Sequence, residues 1–251
     1  MPAVCSRILL IALLMLASCA HMGSGSKEVS LRLDLAEAYI ANRKPQLAMQ
    51  ELVAIADRAE GLKRYHFDLG LAYFALDQVD DARKAFARTV EIDPEYGEGW
   101  NNLGRVLEAQ GKWEEAKAAY EKAIAILTYA TPELAATNLA RLLLRHGQAD
   151  QAEAMARLAI RRNWLYTPAY LLLAQIQEGK GDLAAAQATL EEGLAANLNA
   201  VALKLALGEN ILRQGKTAEA KAQFHAIVKD HPGTPEAKVA QDYLDILPEG
   251  K

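Results

Sequence analysis

The side chains that most often carry out chemistry are scattered along this chain. His66, His146, His225 and His231 are spread over different repeats, none with a second ligand at a helical spacing that would complete a metal site. No glycine-rich phosphate cradle appears, and Gly193 and Gly208 sit where close helix packing would want them. Carboxylates are plentiful but alternate with lysines, as in Lys112, Glu114, Glu115 and Lys117, which is the pattern of a solvated helix face. The residue types therefore predict no enzyme, no metal and no cofactor. One cluster remains: Arg105, Arg141 and Arg145, whose planar guanidinium forks suit carboxylates of a partner chain.

The elements that position these arginines follow from a repeat. At an offset of 34 residues the same punctuation returns. Trp100, Leu103, Gly104, Gly111, Ala116, Tyr120 and Ala123 occupy positions 4, 7, 8, 15, 20, 24 and 27 of one unit. Leu69, Gly70, Tyr73, Ala82, Phe86 and Pro94 occupy positions 7, 8, 11, 20, 24 and 32 of the unit before it. Small residues at 8 and 20 let two helices cross closely, and larger ones at 4, 7, 11, 24 and 27 fill their facing sides. Gly111, Gly147, Gly181 and Gly215 at the same place predict left-handed caps, and Pro94 and Pro232 predict the ends of second helices. This spacing resembles the tetratricopeptide repeat. It predicts an all-α tetratricopeptide-repeat solenoid of six helical hairpins plus a C-terminal capping helix, wound as a right-handed superhelix.

The predicted units are 29–62, 63–96, 97–130, 133–166, 167–200 and 201–234, with 235–251 as capping helix and tail. The register slips between Leu127 and Pro132, which reads either as a division of the array into halves of three repeats or as a tolerated loop insertion. The concave lining of such arrays falls at positions 2, 5, 9, 12 and 13 of each first helix. Those positions give Phe67, Leu71 and Phe74, then Asn101, Arg105 and Glu108, then Thr137, Arg141 and Arg145, with Asn138 on the border. An apolar patch beside a basic, amide-rich centre reads either as a groove for an extended or helical peptide bearing carboxylates, or as arginines that pair with Glu108 and other local carboxylates and only solubilise the surface; as a cluster they favour the groove. Trp113 reads as a packing residue, and Trp164 and Tyr166 as half-buried at an inter-repeat turn. A net charge of −4 gives no footprint for nucleic acid.

The N-terminus reads as a separate object. Arg7 precedes the apolar run from Ile8 to Leu16, too short to span a bilayer but suited to a signal-peptide core. Leu16-Ala17-Ser18-Cys19 resembles a bacterial lipobox, which implies a signal peptide over 1–18 and acyl chains, palmitate among them, on Cys19. Ala20, where an Asp would resemble a retention signal, points to the outer membrane with the array facing the periplasm. With Cys5 removed, no disulfide is possible, and 19–28 reads as a flexible tether.

A lipobox, a tether and six such units, together with the interrupted junction followed by Leu134-Ala135-Ala136-Thr137-Asn138-Leu139, resemble the type IV pilus biogenesis and stability lipoproteins, the PilF/PilW pilotin family. The resemblance implies a scaffold that binds a protein partner and helps a secretin reach and assemble in the outer membrane. It carries only Cys19 across as a functional residue. The same scaffold could instead serve as an envelope adaptor for peptidoglycan hydrolases, Tad-type pilus assembly or polysaccharide export.

Overall fold

The computed structural model describes residues 26–248, so the signal segment and Cys19 lie outside the described residues. Those residues form an all-α structure with no strand among them. The chain divides into two compact units, one up to Lys112 and one from Trp113.

The first unit contains α1, whose described part covers 26–41, then α2 (Pro45–Val53), α3 (Ala56–Ala59), α4 (Lys63–Ala75), α5 (Val79–Ile92) and α6 (Gly97–Ala109). Val29, Leu33 and Ala36 recur at helical spacing and close a core with Ala48, Leu52, Ile55, Ala59, Tyr65 and Ala72. Leu35 falls outside this core and is exposed, whereas Leu103 at the matching place of its repeat is buried, because no described hairpin precedes the first. The helix also overruns the expected tether. Ser26, Lys27 and Glu28 are helical rather than flexible. The reason is a pair of ties: Glu28 accepts from Arg58 at 2.7 Å and from Arg32 at 3.1 Å, and these guanidiniums hold its carboxyl down to about 2.

The second unit runs through α7 (Trp113–Ala125), α8 (Pro132–Arg145), α9 (Ala149–Arg162), α10 (Thr167–Gly179), α11 (Leu183–Ala196), α12 (Val201–Arg213), α13 (Thr217–Asp230) and α14 (Pro235–Ile246). Each helix packs on the next, so the units from α8 onward are stacked helical hairpins. Leu139, Leu142, Leu173, Ile176, Leu190, Leu203, Ile211 and Phe224 fill the interior. On α14, Ala237 and Ala240 face inward while Lys238, Gln241, Asp242 and Asp245 face water, as the end of an array requires. The chain does not divide at 127–132, one of the two readings left open for that segment. Ile126 and Tyr129 are buried, so the extra residues fold into a packed turn, and α7 packs on α8 across it.

Within each repeat the crossing is set by paired sizes. Where position 8 is glycine, an aromatic ring covers it: Phe86 lies over Gly70 and Phe224 over Gly208. Where position 8 is Ala36 or Ala174, position 24 is the smaller Leu52 or Leu190. The turn inside each hairpin needs a left-handed residue, and Gly111 and Gly181 supply it at φ 71° and 83°. The first two hairpins make the same turn with Arg43 (φ 56°) and Asp77 (φ 60°). Left-handed backbone costs a side-chain-bearing residue about 1–2 kcal/mol, less for Asp. Arg43→Gly is therefore expected to raise the urea midpoint by the equivalent of about 1 kcal/mol, and Asp77→Gly by less.

Candidate partner-binding site

In the first unit, Phe67, Leu71 and Phe74 share one face of α4 and are half-buried. Phe67 is partly used in packing, edge-on to Phe86 at 5.7 Å and to Tyr96 at 5.2 Å between ring centroids. Phe74 carries the Arg105 guanidinium over its ring at 5.2 Å. Asn102 donates to the Glu98 carbonyl at 2.9 Å, which turns its amide oxygen outward, and Arg105 donates to that oxygen at 2.8 Å. Asn101, expected on the groove, is only 6 % exposed, so it offers a partner almost no surface.

The second unit repeats the arrangement. Arg141 donates to the amide oxygen of Asn138, three residues back, at 3.2 Å. Arg105 and Arg141 are both exposed, and neither pairs with a carboxylate among the described residues. Each is therefore oriented by a neutral amide while keeping its full charge, the arrangement expected of a cation held ready for an incoming carboxylate. Arg145 is exposed but already engaged. Thr137, read as a groove residue, is buried and donates its hydroxyl to the Glu133 carbonyl at 2.7 Å.

Further along, Leu171, Gln175, Glu178, Ala206, Glu209 and Arg213 line a recess of about 280 Å³. Its charges are spoken for. Glu178 accepts from Arg213 and from Asn210 (2.8 Å), and Glu209 accepts from Tyr243 at 3.2 Å. Arg213 is thus neutralised, whereas Arg105 and Arg141 meet no carboxylate among the described residues.

Three further residues complete the picture. Trp113 stacks on His146 at 4.5 Å and is half-buried. Trp164 is 61 % exposed, contrary to the expectation of partial burial. Asp68 is fully buried on α4, and neither carboxylate oxygen has a hydrogen-bond partner. Burial, reinforced by Glu37 and Asp34 and opposed by Arg64, pushes its carboxyl up to about 7. No spacing signal in the sequence marks Asp68. The only hint is that Asn102 and Asn138 hold the matching position in the next two repeats.

Comparison with known proteins agrees with this geometry. The tetratricopeptide repeat family matches residues 67–131, 134–157, 167–199 and 202–234. Among curated proteins, a TPR repeat-containing protein of Pseudomonas aeruginosa is 36% identical over 59 residues, covering 24% of this chain and 56% of its own. The small glutamine-rich tetratricopeptide repeat-containing protein 2 of Saccharomyces cerevisiae is 32% identical over 87 residues, 35% of this chain and 25% of that one. The chain thus spans a quarter to about half the length of these relatives. Among solved structures, PilW, described as a widely conserved type IV pilus biogenesis factor, superposes with a TM-score of 0.71 at 20% identity, covering 85% of this chain and 98% of its own. PilF of Pseudomonas aeruginosa gives 0.70 at 16% identity, covering 87% and 99%. With hairpin after hairpin built on the same small-residue crossings, the chain is an all-α tetratricopeptide-repeat protein with the fold of PilW and PilF.

Proposed function

We propose that this chain is a non-catalytic scaffold of the bacterial envelope that captures a protein partner. It is anchored by lipid on Cys19 at the outer membrane and faces the periplasm. The partner that fits best is a secretin subunit, whose localisation and assembly the scaffold promotes during type IV pilus biogenesis. The reading draws on the fold likeness to PilW and PilF and on the lipobox. One observation carries the binding role: two arginines, each aimed by an asparagine three residues earlier, meet no carboxylate among the described residues. Acyl chains would confine the scaffold to a membrane face and raise the effective concentration of a membrane-bound client, and preformed helices lower the ordering cost of capture.

The test is affinity capture of the lipidated chain from envelope membranes with the secretin as readout. Arg105→Glu combined with Arg141→Glu is expected to weaken capture by about tenfold or more while leaving the helical circular dichroism unchanged. Capture that is indifferent to both reversals removes the arginines from the site, and absence of secretin from the wild-type eluate removes that client.

A further inference from the structure

The connections between one hairpin and the next carry a second surface. In the second unit α7 leads to α8, α9 to α10 and α11 to α12, each second helix passing into the next first helix, so these turns lie at the same end of successive hairpins. Two of them are built alike. Asn163 accepts from the Leu165 amide at 3.1 Å, and Asn197 from the Asn199 amide at 3.3 Å. This Asx turn pushes the residue after the asparagine out to the tip. In the first unit Asp93 makes the same turn, accepting from the Glu95 amide at 3.1 Å, with Pro94 at the tip. In the second unit the tips are Trp164, 61 % exposed, and Leu198, 73 % exposed. Leu165 beside the first is 51 % exposed, and Leu127 in the preceding turn is 92 % exposed. The Trp164 turn is held rigid from below, its carbonyl accepting from the buried Tyr170 hydroxyl at 2.9 Å and the Asn163 amide donating to Glu133 at 3.0 Å.

These are protruding tips, not a groove, and their charge is one-sided. No acidic residue lies in 126–131, 163–166 or 197–200. Arg161 and Arg162 end α9 beside Trp164, both exposed and without an ion pair among the described residues. Lys122 ends α7. Glu121 beside Lys122, and Glu191 and Glu192 near the end of α11, are the exposed acids closest in sequence to these turns, and Asp230 is exposed at the end of α13. A tryptophan and leucines raised on rigid turns and backed by cations match the lipid–water interface. There, amphipathic rings settle at headgroup depth and cations meet anionic headgroups.

We propose that this edge of the second unit, tipped by Leu127, Trp164, Leu165 and Leu198 and backed by Arg161 and Arg162, rests on an anionic lipid surface. The contact does not depend on acylation of Cys19, and the experiment keeps the two apart. The full chain carrying Trp100→Phe and Trp113→Phe, so that emission comes from Trp164 alone, is mixed with vesicles of phosphatidylglycerol brominated on its acyl chains. Flotation reports attachment by any route; quenching of Trp164 reports the edge. Trp164 emission is expected to fall by about threefold, and the loss to shrink when Leu127 and Leu198 are both changed to Ser or when Arg161 and Arg162 are both changed to Glu. A chain that keeps Trp113 alone, half-buried in the same unit, should keep its emission. Cys19→Ala tests the anchor through flotation and should leave the quenching of vesicle-bound chain intact. A chain that floats with undimmed Trp164 overturns the proposal, as does one that fails to float at all. If Trp164 dims only when a secretin is captured, the edge is a protein contact and the lipid assignment is wrong.

Discussion

Gly70→Ala is expected to destabilise the first unit by about 2 kcal/mol net, although alanine is the better helix former by about 1 kcal/mol. A Cβ on Gly70 would lie 2.6, 2.7 and 2.8 Å from three ring carbons of Phe86. Phe86 is fully buried, so its ring has nowhere to go. The molecule itself suggests the compensation. Ala36 and Leu52 hold these two positions in the first repeat, both fully buried. Phe86→Leu alone opens a void, yet added to Gly70→Ala it should recover most of the loss. A double-mutant cycle by urea unfolding is then expected to show a favourable coupling of about 1 kcal/mol or more. Additive costs would mean that Phe86 moves aside and that the paired sizes do not set the crossing.

Asp68→Asn is expected to stabilise the chain, and by an amount that depends on pH. The folded carboxyl titrates near 7, well above its ordinary value of 3.8, because burial without a partner disfavours the charge. Folding therefore takes up a proton between these values. Stability is fullest below about pH 4, declines as pH rises toward 7, and is flat above that. Asparagine has no such slope. At pH 8 the substitution should gain on the order of 2–3 kcal/mol, and near pH 4 almost nothing. Thermal melts of both forms at the two pH values decide it. Parallel pH profiles would show that water or a shifted side chain already satisfies the carboxylate.

What could be read from residue order was whatever repeats. Small residues at the crossings and glycine in the hairpin turns are imposed by local geometry, so Ala82, Ala116, Ala152, Ala186 and Ala220 are all fully buried. What could not be read depends on distant partners. Ser-Lys-Glu looks like tether, yet Glu28 is clasped by Arg58, 30 residues away. The position number of Asn101 puts it on the groove, although it is only 6 % exposed. Trp164 stands at an inter-repeat turn, where partial burial is the default, yet that turn raises it into solvent. Arg105 and Arg141 are legible from their shared position in successive repeats. That neither meets a carboxylate could not be known before their neighbours were in place.

A set of polar ties between repeats reaches back 27 or 30 residues. Gln110 donates to Asp80, Lys180 to Asp150 and Glu153, and Gln214 to Gln187, each from the end of a first helix to the second helix of the preceding hairpin. None of these ties skips a hairpin. A mechanical load entering at one end of a unit would therefore be borne by one interface at a time. Each unit would yield by peeling from its end, a hairpin per step, so that a pull frays the terminal repeat before it disturbs those farther along.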